Sequence, residues 1–314
     1  MSRIVLHGEV TPGFAERLSA TLASERIGFV EAQDEAGLRR ELADCEALLH
    51  VLTPFSADDV AAAPKLRLIQ KIGVGVNTIA VDAAAARDIA VCNMPGSNSR
   101  AVAETALALL FAVLRRVPVY DRLIRQGRWQ PEDPALGDTT GEVAGRTIGL
   151  VGFGRSAQTL APILRAMGAM VVYTATRAHE DAPDSYRPLD QLLAESDVVS
   201  LHVPLTDATR GLIDADRIAA MKPGAILINV ARGELVDEPA LVAALRSGHL
   251  RGAGLDVFAH EPIAPDNPLL ALPNTVLMPH VAWLTPETLD RSLAIIAENI
   301  RRLDAGEPLL HRIA

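Results

Sequence analysis

The chain has 314 residues, 49% of them hydrophobic and 22% charged, and a formal net charge of −9. That length predicts two domains with sizeable cores. The charge balance gives no electrostatic footprint for nucleic acid or an anionic membrane, so an anionic substrate needs particular arginines. Cys45 and Cys92 lie far apart without metal-ligand spacing. They predict a reducing compartment, the cytoplasm, rather than a disulfide framework, and no metal site. The opening apolar run is too short for a signal peptide, and no 18-residue uncharged apolar segment predicts a membrane span.

In chain order, short apolar runs predict strands at 4–6, 28–30, 47–52, 68–72 and 89–92. Helical patterns separate them at 14–23, 35–44, 56–63 (capped by Ser56) and 81–87. This β-α alternation predicts a parallel sheet. After Pro95 and Gly96 comes one long helical segment, 97–129, apolar on nearly every face from Ala101 to Leu114. Such a helix is expected in a core or a subunit interface, with Pro118 ending or kinking it. Residues 130–145 read as a polar arm.

The next unit carries the strongest local signal. A strand at 147–151 is followed by Gly152, Gly154 and Ala157 at the spacing GxGxxA. A helix then runs to about Gly168, with Leu160, Ile163, Leu164 and Met167 on one face, and a strand follows at 170–173. Gly152 permits the tight turn, Gly154 lets a pyrophosphate approach the backbone, and Ala157 lets helix pack on strand. The helix N-terminus offers N–H groups to the phosphates. The unit therefore predicts dinucleotide binding. The acidic residue expected about 20 positions on for NAD is replaced by Thr174, with Thr176 and Arg177 beside it. A hydroxyl and an arginine suit a 2′-phosphate better than a free ribose diol.

Beyond it, strands are predicted at 197–203, 225–230, 254–258 and 275–278, with helices at 214–221, 238–246 and 286–303. The fold class expected is α/β, with two Rossmann-like or flavodoxin-like parallel-sheet domains. The nucleotide-binding one (100–283) is inserted into the substrate-binding one (1–99 and 284–314), to which the last helix returns. Ligands of open α/β sheets bind beyond the carboxyl ends of strands. That rule selects Arg232, Asp256, Glu261 and His280, and in the first block Gly73 and Gly75, as groups expected to face one crevice. The other histidines, His7, His50, His202 and His260 among them, make a weaker case by position and company.

The segments "VGFGRSA", "LHVPLT", "MKPGAILINVARGELVD", "GAGLDVFAHEP" and "MPHVAW" together resemble the D-isomer-specific 2-hydroxyacid dehydrogenase family over nearly the whole chain. The resemblance implies hydride transfer between NAD(P) and C2 of a small 2-oxo or D-2-hydroxy acid. Catalysis would fall to Arg232, Glu261 and His280. His280 would exchange the proton, Glu261 would hold its other ring nitrogen, and Arg232 would bind the carboxylate and polarise the carbonyl. Cofactor contacts are implied at Val102, Gly152, Phe153, Gly154, Arg155, Ser156, Thr174, Thr176, Arg177, Val203, Pro204, Thr209, Val230, Ala231, Asp256 and His280. Substrate contacts are implied at Val74, Gly75, Val76, Arg232, His280 and Trp283. Missing acidity at Thr174 favours NADP over NAD, as in glyoxylate and hydroxypyruvate reductases. A homodimer through the long helix and arm is implied, and the extra regulatory domains of some phosphoglycerate dehydrogenases are not expected. The alternatives on the same scaffold are phosphoglycerate dehydrogenase activity, formate oxidation and a corepressor-type NAD(H) sensor.

Overall fold

The structure is a computed structural model that describes residues 3–129, 137, 139–180 and 182–314. The chain divides into two compact units, Met1–Asn98 with Leu284–Ala314, and Ser99–Trp283. Half of the polar arm expected at 130–145, residues 130–136 and 138, lies outside the described residues.

The first unit is a five-stranded parallel sheet in the order β2-β1-β3-β4-β5, the flavodoxin-like sequence of strands. Its strands are β1 (Arg3–His7), β2 (Arg26–Val30), β3 (Ala47–His50), β4 (Leu68–Lys71) and β5 (Ala90–Cys92). β1, β3, β4 and β5 are buried almost throughout. That is why they read as continuous apolar runs rather than alternating ones. The helices between them start on side-chain caps where the sequence offers one. Thr11, Asp34 and Ser56 each accept a backbone N–H of the first turn. The last helix, Pro286–Ala305, packs in this unit. Its fully buried Asn299 donates to the Gln70 side chain (2.6 Å) and to Leu310 O (3.2 Å), and accepts from Leu310 N (2.7 Å). One amide thereby ties β4, the helix and the C-terminal segment.

The second unit is a seven-stranded parallel sheet, β12-β11-β10-β9-β6-β7-β8. It comprises β6 (Thr147–Val151), β7 (Met170–Thr174), β8 (Ser185–Tyr186), β9 (Val198–Leu201), β10 (Ala225–Asn229), β11 (Leu250–Leu255) and β12 (Thr275–Leu277). Strand order reverses at β6, between β7 and β9, which is where such sheets bind ligands. The strand β8 and a helix at Leu189–Glu195 were not anticipated. Ser185 and Tyr186 are exposed and only two residues long, too short for a periodic signal.

The long helical segment is two helices, α5 (Ser99–Leu114) and α6 (Val117–Arg125). Pro118 does not end the first. The break is at Arg116, held in the left-handed region at φ 52°, and Pro118 opens α6. Proline fits the first turn of a helix because its missing N–H has no intrahelical partner there. α5 buries Ala103, Ala106, Leu109, Leu110, Val113 and Leu114 against the sheet and the helix α7 (Arg155–Ala166). Phe111 on its outer side stays 39% exposed.

Replacing Asn299 by Leu strands the Gln70 carbonyl and the Leu310 amide inside the first unit. Urea unfolding is expected to show a loss of about 3 kcal/mol, the cost of unsatisfied buried polar groups, with an unchanged m-value.

Candidate active site

The catalytic candidates all stand just past strand ends of the second unit. Arg232 is three residues beyond β10, Asp256 one beyond β11, and His280 three beyond β12. β11 stops earlier than expected, so Asp256 lies outside the strand. Its backbone instead bridges neighbours. Asp256 N donates to Asn229 O (2.9 Å), and His280 N donates to Asp256 O (2.8 Å).

Asp256 is buried to 1% exposure, which is costly without partners. The partners are backbone amides. Val281 N donates to Oδ1 and Ala282 N to Oδ2, both at 2.9 Å. Burial raises the Asp256 pKa, against the two amides and the His280 charge. Three consecutive N–H groups, from His280 to Ala282, are thus held by one aspartate. That matters because His280 sits in the left-handed region at φ 56°, a conformation a non-glycine residue keeps only when its surroundings fix it.

His280 Nδ1 meets Glu261 Oε2 at 2.6 Å. With the carboxylate accepting from Nδ1–H, Nε2 is the ring nitrogen that Glu261 does not engage. Glu261 is itself held, since its Oε1 accepts from Phe258 N (3.0 Å). Burial alone would raise the Glu261 pKa. The His280 hydrogen bond and charge, the Phe258 amide and Arg232 outweigh it, and the carboxyl lies below its ordinary value.

Arg232 follows a turn built by Asn229. The buried Asn229 side chain accepts from Ala231 N (3.0 Å) and donates to Arg232 O (2.8 Å). Arg232 Nη1 donates to Ala231 O (2.6 Å). Burial lowers the Arg232 pKa, opposed by Glu261 and Glu234, and an arginine starts high enough to remain charged. The next residue decides the packing. A Cβ on Gly233 would lie 1.9 Å from Phe258 C and 2.0 Å from Phe258 O. Only glycine lets the Arg232 turn press against the backbone of the loop that carries Glu261.

At the nucleotide end, Gly152 has φ 92°, and a Cβ there would meet the His202 carbonyl at 2.8 Å. Gly154 faces open space, and the helix α7 that it begins has no side-chain cap. Its first N–H groups are the unpaired donors that a pyrophosphate needs, so the residues fit a dinucleotide. Ala157 is fully buried. Ser156 Oγ contacts His202 Nδ1 (3.3 Å), and His202 Nε2 contacts Ser200 Oγ (2.9 Å). Burial lowers the His202 pKa to about 4, which keeps this ring neutral beside the phosphate loop. Thr174 ends β7 opposite Val151, and its carbonyl accepts from Gly152 N (2.9 Å). Thr176 and Arg177 beyond it are exposed, as is Arg155. Phe153 and Val230 are buried, whereas Val102, Val203, Ala231 and Trp283 are half-buried. The half-buried Thr209 closes a turn onto the Pro204 carbonyl (2.7 Å). In the first unit, Val74, Gly75 and Val76 follow β4, after Gly73 at φ 129°.

The sequence reading missed Asn229 and Gly233. Both sit in "NVARG", but their work is a turn closure and a backbone contact that only folding creates.

The chain matches the family model "D-isomer specific 2-hydroxyacid dehydrogenase, NAD binding domain" over residues 107–282, more than half its length. This chain belongs to that family. It is 43% identical to a glyoxylate reductase of Korarchaeum cryptofilum over 269 residues, 84% of this chain and 81% of the relative. It is 41% identical to a D-3-phosphoglycerate dehydrogenase of Mycobacterium tuberculosis over 286 residues, 90% of this chain but only 53% of that protein. Among solved structures it resembles an NADPH-dependent glyoxylate/hydroxypyruvate reductase of Sinorhizobium meliloti in complex with NADP and malonate. That likeness has a TM-score of 0.86 and 32% identity, and covers 100% of this chain and 97% of the other. The protein is an NAD(P)-dependent oxidoreductase of the 2-hydroxyacid dehydrogenase family, acting on a small molecule. No helix among the described residues is long and apolar enough to cross a membrane.

Two substitutions test this architecture. Gly233→Ala is expected to destabilise the protein by about 2 kcal/mol or more in chemical unfolding, because backbone cannot move aside as a side chain can. Asp256→Asn turns an amide N–H toward Val281 or Ala282. It is expected to cut turnover by about tenfold or more while leaving cofactor affinity within about twofold, measured by steady-state kinetics and nucleotide titration.

Proposed function

We propose that the protein reduces a small 2-oxo acid such as glyoxylate or hydroxypyruvate to the D-2-hydroxy acid, with NADPH preferred over NADH. The observation that carries the acid-base assignment is the 2.6 Å contact between His280 and Glu261, with Arg232 close enough to lower the Glu261 pKa. The bound nicotinamide supplies hydride to the substrate C2. Arg232 holds the carboxylate and polarises the carbonyl, which aligns C2 and stabilises the charge developing on its oxygen. His280 delivers the proton from Nε2 to that oxygen and recovers it in the reverse direction. Glu261, fixed by the Phe258 amide, keeps the ring oriented.

The cofactor preference rests on Thr174, which offers a hydroxyl in place of a carboxylate, and on the nearby exposed Arg177. The backbone of Val74–Val76 and the Trp283 ring are assigned to substrate binding. Phosphoglycerate is the weaker substrate reading, because the apolar or neutral residues 52–55, 74–76 and 283 offer no phosphate site. Homodimerisation through α5 and α6 is part of this reading. Phe111, Val117 and Ile124 are exposed on these helices, and Trp129 beyond them is 85% exposed, an apolar surface of the kind subunit interfaces cover.

A screen of 2-oxo acids with NADPH and NADH is expected to give turnover with small unphosphorylated substrates and a higher kcat/KM with NADPH. His280→Ala should lower kcat by about 10²-fold or more, the usual contribution of a general acid. Near-normal turnover in that variant would remove the proton-transfer assignment. Sedimentation equilibrium is expected to return twice the chain mass, and Phe111→Glu to shift the protein toward the monomer.

A further inference from the structure

One cavity in the second unit has a volume of about 630 Å³. Phe153, the residue between the two turn glycines, lines it together with Arg177, His179 and the pair Arg165–Asp184. Asp184 is not a free acid, because both its oxygens accept from Arg165 Nη1 at 2.6 Å. Among the described residues of the lining, Glu180 is the remaining acidic group, beside Arg177 and His179.

The loop bearing these two residues is built rather than loose. Tyr173, 1% exposed near the end of β7, accepts from His179 N through its hydroxyl at 2.7 Å. The same hydroxyl lies 3.4 Å from His179 O. The backbone thus leaves the strand at Thr174 and is pinned again five residues later. The rings lock the arrangement to the phosphate loop. Phe153 stacks on Tyr173 with centroids 4.0 Å apart, and the His179 ring stands edge-on to Phe153 at 5.4 Å and to Tyr173 at 5.9 Å. A ring fixed in this way loses little entropy when it binds a ligand.

We propose that His179 is a second cofactor-specificity residue, which with Arg177 forms an anion subsite for the 2′-phosphate of NADP. This rests on the NADP reading above and deepens it. The ribose end of a dinucleotide lies at the end of the second strand of such a unit, here β7. A phosphate there would have a guanidinium and an imidazole of one pinned loop in reach, with Glu180 in the same lining.

The test is a binding measurement on the full chain. Dissociation constants for 2′,5′-ADP and for 5′-AMP are taken by calorimetry for the parent, Arg177→Ala, His179→Ala and His179→Lys. His179→Ala is expected to weaken 2′,5′-ADP by about tenfold, as loss of one charge-assisted contact does, and to leave 5′-AMP unchanged. His179→Lys should restore most of the affinity for 2′,5′-ADP. The NADPH-to-NADH ratio of kcat/KM should fall in parallel. If Arg177→Ala weakens 2′,5′-ADP and His179→Ala does not, the subsite assignment is overturned and the NADP reading stands. If neither variant separates the two ligands, both fail. Equal loss of both ligands in His179→Ala makes the residue purely structural and overturns the proposal.

Discussion

Everything at the reacting end of this molecule depends on how one buried carboxylate is satisfied. Asp256 has two oxygens and little water, so each oxygen takes a backbone amide, from Val281 and Ala282. Its own amide and carbonyl are spent on Asn229 and His280. The ends of β10, β11 and β12 are thereby joined into one piece of backbone. His280 can hold a left-handed conformation costing about 1 kcal/mol because the amides around it have nowhere better to go. Its side chain then meets Glu261 at 2.6 Å.

The second constraint is steric and works beside the first. Gly233 lets the Arg232 turn lie against the Phe258–Ala259 backbone, and Asn229 closes that turn with both ends of its amide. The cation, the acid and the imidazole are therefore placed by backbone contacts, with little left to side-chain freedom. Groups arranged in that way cost little reorganisation when charge develops on a substrate oxygen. The nucleotide end repeats the logic. Gly152 turns where a Cβ would strike the His202 carbonyl, and the uncapped helix behind Gly154 offers its amides outward.

Much of this was legible beforehand, and the reasons differ by element. Buried parallel strands are apolar throughout, so β1, β3, β4, β6 and β10 stood out, with ends within a few residues. Arg232, Glu261 and His280 could be picked out because charged residues just past apolar strands are rare and a sheet's carboxyl edge collects them. The break between α5 and α6 was misassigned to Pro118. Proline is a strong local signal, yet it stands equally well at a helix start, and the sequence does not show that Arg116 carries the left-handed turn. β8 escaped notice because two exposed residues carry no period. His179 drew no attention, since its interest comes from a Tyr173 hydroxyl that reaches it across a loop.

The sequence by itself determined the alternation of strand and helix, the dinucleotide turn and the family, and it named Arg232, Glu261 and His280 as candidates. The first two follow from periodicity and glycine spacing, and the family and the candidates from the matching segments. Tertiary structure decided which atom faces which. It assigned Asp256 to backbone amides, paired Nδ1 of His280 with Glu261, made Gly233 obligatory and gathered Arg177 and His179 around one cavity. The physical reason is that hydrogen bonds and close contacts depend on distances of tenths of an ångström between residues tens of positions apart. A one-dimensional pattern carries the residue types but not those separations.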